Sequence, residues 1–144
     1  MKKILLTIIA LFIAIQFIPY GKNHTNPKVV AEPKWDSPKT KEIFMKACGD
    51  CHSNETQYPW YSNIAPISWA MAHHIDEGRE HFNVSMWGTQ KKNHGDEAVE
   101  EIEEGEMPLK SYLLAHPEAH LSDSEKQLFI DGLKKTFGEK KEHH

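Results

Sequence analysis

Cys48 and Cys51 are the two cysteines of a 144-residue chain, and His52 follows the second directly. Two thiols spaced i and i+3 reach the two vinyl groups along one edge of a porphyrin. The next side chain then lies under the iron and offers an imidazole nitrogen. C-x-x-C-H is therefore the signature of covalent thioether attachment of haem. Three other readings compete with it. A thioredoxin-like dithiol uses C-x-x-C but needs a strand–helix setting. Structural zinc needs four ligands, and here only three stand close, two of them adjacent. An oxidising compartment would close the pair to a disulfide. The residue pattern favours one covalently bound haem c, held by Cys48 and Cys51, with His52 on the iron.

A His-ligated iron takes a sixth ligand or keeps an open face. Met107 in Gly105-Glu106-Met107-Pro108 is the candidate for that position. Pro108 stiffens the backbone and removes a competing N–H donor. A thioether opposite His stabilises ferrous iron and raises the potential, which suits electron transfer. The plain alternative is that Met107 fills a gap in the core. His73, His74, His81, His94, His116 and His120 are rival ligands, so ligation by two histidines is the main alternative chemistry. Trp60, Tyr61, Trp69 and Trp87 are placed between the two motifs to wall a porphyrin or to fill the core. Arg79, the single arginine, is suited to a propionate or to a solvated helix end.

These residues need a frame, and the sequence predicts an all-α one. Ser37-Pro38 opens a helix that ends near Cys48-Gly49. Pro66 begins a second, running to Gly78. Asp96 to Glu104 reads as a short acidic helix stopped by Gly105. Ser122-x-x-Glu125 is a capping-box pattern starting a last helix to about Phe137. No convincing alternating strand is present. Ahead of this domain, Lys2 and Lys3 precede an apolar run from Ile4 to Ile18. Basic residues before an apolar stretch predict an export signal, and the absence of a small-residue cleavage site favours an uncleaved anchor over residues 1–20. On that expectation the protein is single-pass in the cell membrane, with its haem domain facing the periplasm or cell exterior. Residues 21–36 read as a flexible linker, residues 37–138 as the haem domain and residues 139–144 as a disordered tail. The formal charge is −4, with 17 basic and 21 acidic residues. No basic patch calls for a nucleic-acid partner.

Lys39 to Phe137 resembles the haem-binding domain family of cytochrome c-like proteins. The likeness lies in Cys48-Gly49-Asp50-Cys51-His52-Ser53-Asn54-Glu55-Thr56, Tyr58-Pro59-Trp60-Tyr61-Ser62, Ile64-Ala65-Pro66, Ser68-Trp69, Asn83-Val84-Ser85-Met86-Trp87 and Gly105-Glu106-Met107-Pro108-Leu109. Tyr112-Leu113-Leu114-Ala115-His116-Pro117-Glu118-Ala119-His120-Leu121-Ser122 completes it. The resemblance implies a cytochrome c-like fold in which the first and last helices of the domain cross beside the haem. It also implies attachment at Cys48 and Cys51, His52 as proximal ligand and Met107 as distal ligand. The expected role is that of a membrane-tethered mono-haem electron carrier rather than an enzyme. Its acidic surface would dock an unidentified basic redox partner. The alternative is a haem sensor or small peroxidase-like protein with an open or displaceable sixth position.

Overall fold

The computed structural model describes residues 1–138, so the tail expected at 139–144 lies outside the described residues. Among the described residues seven α-helices appear in chain order: α1 Lys2–Ile15, α2 Pro38–Ala47, α3 Gly49–His52, α4 Ile67–His81, α5 Ala98–Glu104, α6 Lys110–Ala115 and α7 Asp123–Phe137. Short 3-10 turns at Trp60–Asn63, Gly95–Glu97 and Pro117–Ala119 join them. Among the described residues there is no strand, only one isolated bridge between Ala31 and Met86. The all-α expectation holds.

The helices around the motif begin where local chemistry tells them to. Ser37 caps α2 by accepting a hydrogen bond from the Thr40 N–H at 3.1 Å, with Pro38 in the first turn. Ser122 and Glu125 complete the capping box of α7. Gly105, at φ 77°, closes α5 in the left-handed region. Helices α2 and α7 meet at Thr40 and Gly132. A Cβ built on Gly132 would lie 2.2 Å from the Thr40 Oγ1, so only glycine admits this approach. Around that contact Ile43 and Phe44 of α2 pack with Phe129, Ile130 and Leu133 of α7. Phe82, Val84, Ala98, Val99 and Ile102 complete the core.

Two expectations about the N-terminal third are corrected. Helix α1 stops at Ile15 after 14 residues. At about 1.5 Å per residue it is roughly 21 Å long, well under the ~30 Å of a hydrocarbon core. No helix among the described residues is long and apolar enough to cross a membrane. This overturns the expected single-pass placement in the cell membrane and the anchor assigned to residues 1–20. The apolar run continues to Ile18, but Gln16 ends the helix against the folded domain. Its amide nitrogen donates to the Ala65 carbonyl at 2.9 Å, and its amide oxygen accepts from the Ala65 N–H at 3.0 Å. Five residues on, Gly21 at φ 73° lies so close to the Ser68 carbonyl that no Cβ fits.

Residues 21–36 also depart from a free tether, because their polar groups find fixed partners on the domain. Asn26 donates to the Thr56 carbonyl at 2.9 Å, and the Lys28 carbonyl accepts from the Asn54 amide at 2.9 Å. The Val30 N–H donates to the Ser85 carbonyl at 2.8 Å. Trp35 then packs on Phe44 and Phe137, with ring centroids 5.2 and 5.8 Å apart.

Candidate functional site

Helix α2 delivers Cys48 at its C-terminal cap, and the single turn of α3 places Cys51 and His52 immediately beyond it. The turn is held from outside. Ser53 donates from its hydroxyl to the Gly49 carbonyl at 2.6 Å, and the Val84 N–H donates to the His52 carbonyl at 2.9 Å. Gly78 of α4 presses against Cys51, where an added Cβ would meet the Cys51 carbonyl at 2.7 Å. Beyond it, Asn54, Asn83 and Ser85 form a buried set. Asn83 donates its amide to the Asn54 Oδ1 at 2.8 Å, and the Asn54 N–H donates to the Ser85 hydroxyl at 2.9 Å.

Cys48, Cys51 and His52 open onto one cavity of about 720 Å³. That volume lies in the usual range for small-molecule and cofactor sites. Its apolar walls come from Phe44, Ala47, Phe82, Ala98, Ile102 and Leu133, and Met107, Pro108, Leu109 and Tyr112 border it as well. The sequence-predicted ligands His52 and Met107 therefore share one cavity, although 55 residues separate them in the chain.

His52 is buried, and its Nδ1 lies 3.1 Å from the Phe82 carbonyl oxygen. A carbonyl only accepts, so Nδ1 carries the proton and donates, leaving the lone pair on Nε2. A metal-binding histidine is oriented by this kind of second contact. The Phe82 ring stacks on the imidazole at 4.3 Å and 20°. Burial pushes the His52 pKa down, partly offset by the Phe82 carbonyl, so the ring is neutral and able to donate to a metal. Both cysteines are free thiols. Burial pushes Cys48 up to about 12 and Cys51 up to about 11, so both keep their protons at neutral pH. Protonated, half-buried thiols are unlike the low-pKa nucleophile of a thioredoxin-type site.

The donor set fits a haem: two thiols and a neutral, oriented imidazole beside a thioether, around a largely apolar cavity. The sequence gives independent support. The family of haem-binding domains matches residues 10–135. The chain belongs to the haem-binding domain family. No curated protein and no solved structure matches it.

Within this haem-binding domain the other predicted residues fall into two groups. His74, His81 and His94 border the cavity, whereas His73, His116 and His120 do not. Trp60, Tyr61, Trp69 and Trp87 do not line it either. Trp60 is 77% exposed, and Trp87 stacks on Phe137 at 4.8 Å. Arg79 does not border the cavity; it braces the chain after the motif. It donates to the Ser53 carbonyl at 2.9 Å and to the Asn26 Oδ1 and Thr56 Oγ1 at 3.0 Å each.

Sequence reasoning did not single out two residues that line this cavity and bear on the motif. Phe82 supplies a wall, a stacking ring and the carbonyl that orients His52. Tyr112 donates to the Asp50 Oδ2 at 2.8 Å, between the two cysteines in sequence. Burial first, and then the Asp50 carboxylate, push the Tyr112 pKa up, so the phenol stays protonated as a donor. Tyr112 was visible within the family-like run 112–122. Nothing local marked Phe82, whose role depends on the fold bringing it 30 residues back to His52.

Proposed function

We propose that this haem-binding domain is a mono-haem c-type cytochrome that carries electrons and is not an enzyme. The observation that carries the reading is the convergence of Cys48, Cys51, His52 and Met107 on one cavity. Cys48 and Cys51 would hold the haem by thioether bonds, each thiol adding across a vinyl group with its sulfur on one carbon and its hydrogen on the other. Nε2 of His52 would supply one donor to the iron, with Nδ1 held by the Phe82 carbonyl. The Met107 thioether would supply the other. When bound, haem supplies reversible one-electron chemistry. The chain's own contribution is to fix the imidazole's tautomer, supply a soft ligand and keep an apolar surround that holds the potential up. A frame resembling that of cytochrome c is supported by the meeting of α2 and α7 beside the cavity, which Phe44, Ala47 and Leu133 help to line. The net charge of −4 favours a redox partner with a basic docking surface, giving salt-sensitive association.

The sixth ligand separates this reading from a sensor or peroxidase-like protein. In the ferric state, His/Met ligation gives a weak far-red charge-transfer band. Wild type shows it, and Met107→Ala loses it while keeping its haem. A wild-type protein that lacks the band and binds carbon monoxide or cyanide readily contradicts the carrier reading. Retention of a six-coordinate spectrum in Met107→Ala, with its loss in a His74, His81 or His94 variant, replaces Met107 by that histidine.

A further inference from the structure

At one margin of the cavity, three side chains with metal-binding atoms converge without belonging to the C-x-x-C-H motif. His81 ends α4, His94 precedes the 3-10 turn, and Glu97 closes that turn. The backbone ties the segments together, with the His94 N–H donating to the His81 carbonyl at 3.3 Å. The two imidazoles stack at 4.6 Å and 16°. The His81 Nε2 lies 3.2 Å from one Glu97 carboxylate oxygen, and the His94 Nδ1 lies 3.5 Å from the other. One ligand atom from each residue can be chosen so that all three lie within 4.8 Å of one another.

We propose that His81, His94 and Glu97 form a second metal site, separate from the haem iron, for a divalent transition ion of the zinc or copper class. The argument is geometric. A tetrahedral zinc with bonds of ~2.1 Å places its donor atoms roughly 3.4 Å apart. The two nitrogen–oxygen separations, one to each carboxylate oxygen, bracket that value, and a set of one donor atom per residue already within 4.8 Å has only to draw together around the ion. Two imidazoles and one carboxylate suit zinc or copper, whereas magnesium and calcium prefer all-oxygen surroundings. His81 and His94 are 48% and 41% exposed and Glu97 is 27% exposed, so an ion and its remaining water ligands can enter from solvent. Ordinary His–Glu pairing is the competing explanation of the same distances, and it predicts no metal affinity. His81, His94 and Glu97 all border the cavity, but the donors proposed for the haem, Cys48, Cys51, His52 and Met107, do not include them, so the site does not depend on that reading.

The test is a Zn²⁺ titration of the haem-loaded protein by calorimetry in the His143→Ala/His144→Ala background, which removes the terminal histidines as ligands. One equivalent should bind, and His81→Ala, His94→Ala and Glu97→Gln should each weaken binding at least tenfold. His73→Ala/His74→Ala should leave it unchanged. The haem absorption spectrum of His81→Ala and His94→Ala should match wild type, which shows both that these variants fold and that neither histidine ligates the iron. The proposal is overturned by absence of saturable binding, by binding that the three substitutions leave intact, or by a changed iron spectrum in either histidine variant. The haem content of the same sample is read from its absorption spectrum, so failure of the haem reading is distinguishable from failure of this one.

Discussion

The corner at Cys48–His52 and the segment at Gly105–Leu109 border the same cavity but are held in different ways. The corner is tied from several directions. Phe82 stacks on His52 and its carbonyl accepts from the His52 Nδ1–H, Val84 donates to the His52 carbonyl, and Arg79, Asn54, Asn83 and Ser85 brace the residues after it. The Met107 segment is tied at its entrance and, beyond it, through Tyr112 of α6, which donates to Asp50. The N–H groups of Glu106 and Met107 both donate to the Glu101 carbonyl at 3.0 Å, and the following α6 has no buried residue. On the proposed reading, anchoring His52 by many contacts and Met107 by few would hold the cofactor firmly while leaving the Met107 position replaceable. Firm attachment and a tunable sixth position are therefore separable properties, and mutations should separate them.

The largest effect is expected from Phe82→Ala. Removing a buried aromatic costs about 3–5 kcal/mol, and here it also removes the ring that packs on His52. Chemical denaturation should show a loss in that range, with altered His52 ligation in the haem spectrum. A loss under 1 kcal/mol would mean that the corner does not depend on its buried wall. Gly105→Ala probes the other side. Its φ of 77° strains any L side chain, but a Cβ there meets nothing within 4 Å. A penalty of about 1 kcal/mol is expected from backbone strain alone, accompanied by loosening of Met107 and faster binding of external ligands. If Gly105→Ala instead disturbs thioether attachment, the two sides are not independent.

A graded effect should follow pH. The folded pKa of His52 lies below the ordinary imidazole value of 6.5, chiefly through burial. Above 6.5 both folded and unfolded chains hold it neutral, so it adds no pH dependence. Below 6.5 the unfolded chain takes up a proton that the folded corner refuses, so stability falls as pH falls. In iron-free protein, where Nε2 carries no metal, denaturation midpoints at pH 7.5 and pH 5.5 should differ in that direction, and a His52→Phe variant should lose this component.

What the sequence made legible follows from how local each signal is. The caps at Ser37 and Ser122, the stop at Gly105 and the C-x-x-C-H run act within a few residues; the structure places the helix ends where they indicate and sets Cys48, Cys51 and His52 on one cavity. Met107 was marked by its own Gly-Glu-Met-Pro setting and does border the cavity. Phe82 carries no local mark, because a carbonyl that orients a histidine 30 positions earlier is a product of tertiary packing. The same holds for Asn83, Asn54 and Ser85, which satisfy one another only once folded. Residues 21–36 looked like a tether because their composition is polar and Pro-containing. Their polar groups turn out to be partners for Thr56, Asn54 and Ser85. The apolar run from Ile4 to Ile18 gave hydropathy but not helix length, since the break at Gln16 depends on the Ala65 backbone, 49 residues away.

Covalent attachment at Cys48 and Cys51 is the claim on which the rest depends, and the mass of the fully denatured intact chain tests it most directly. Wild type should carry the mass of the polypeptide plus one haem after denaturation and acid–organic extraction, whereas Cys48→Ser/Cys51→Ser should give the bare polypeptide. A bare wild-type chain whose haem is extracted, or a double serine variant that still carries haem after denaturation, would contradict the account.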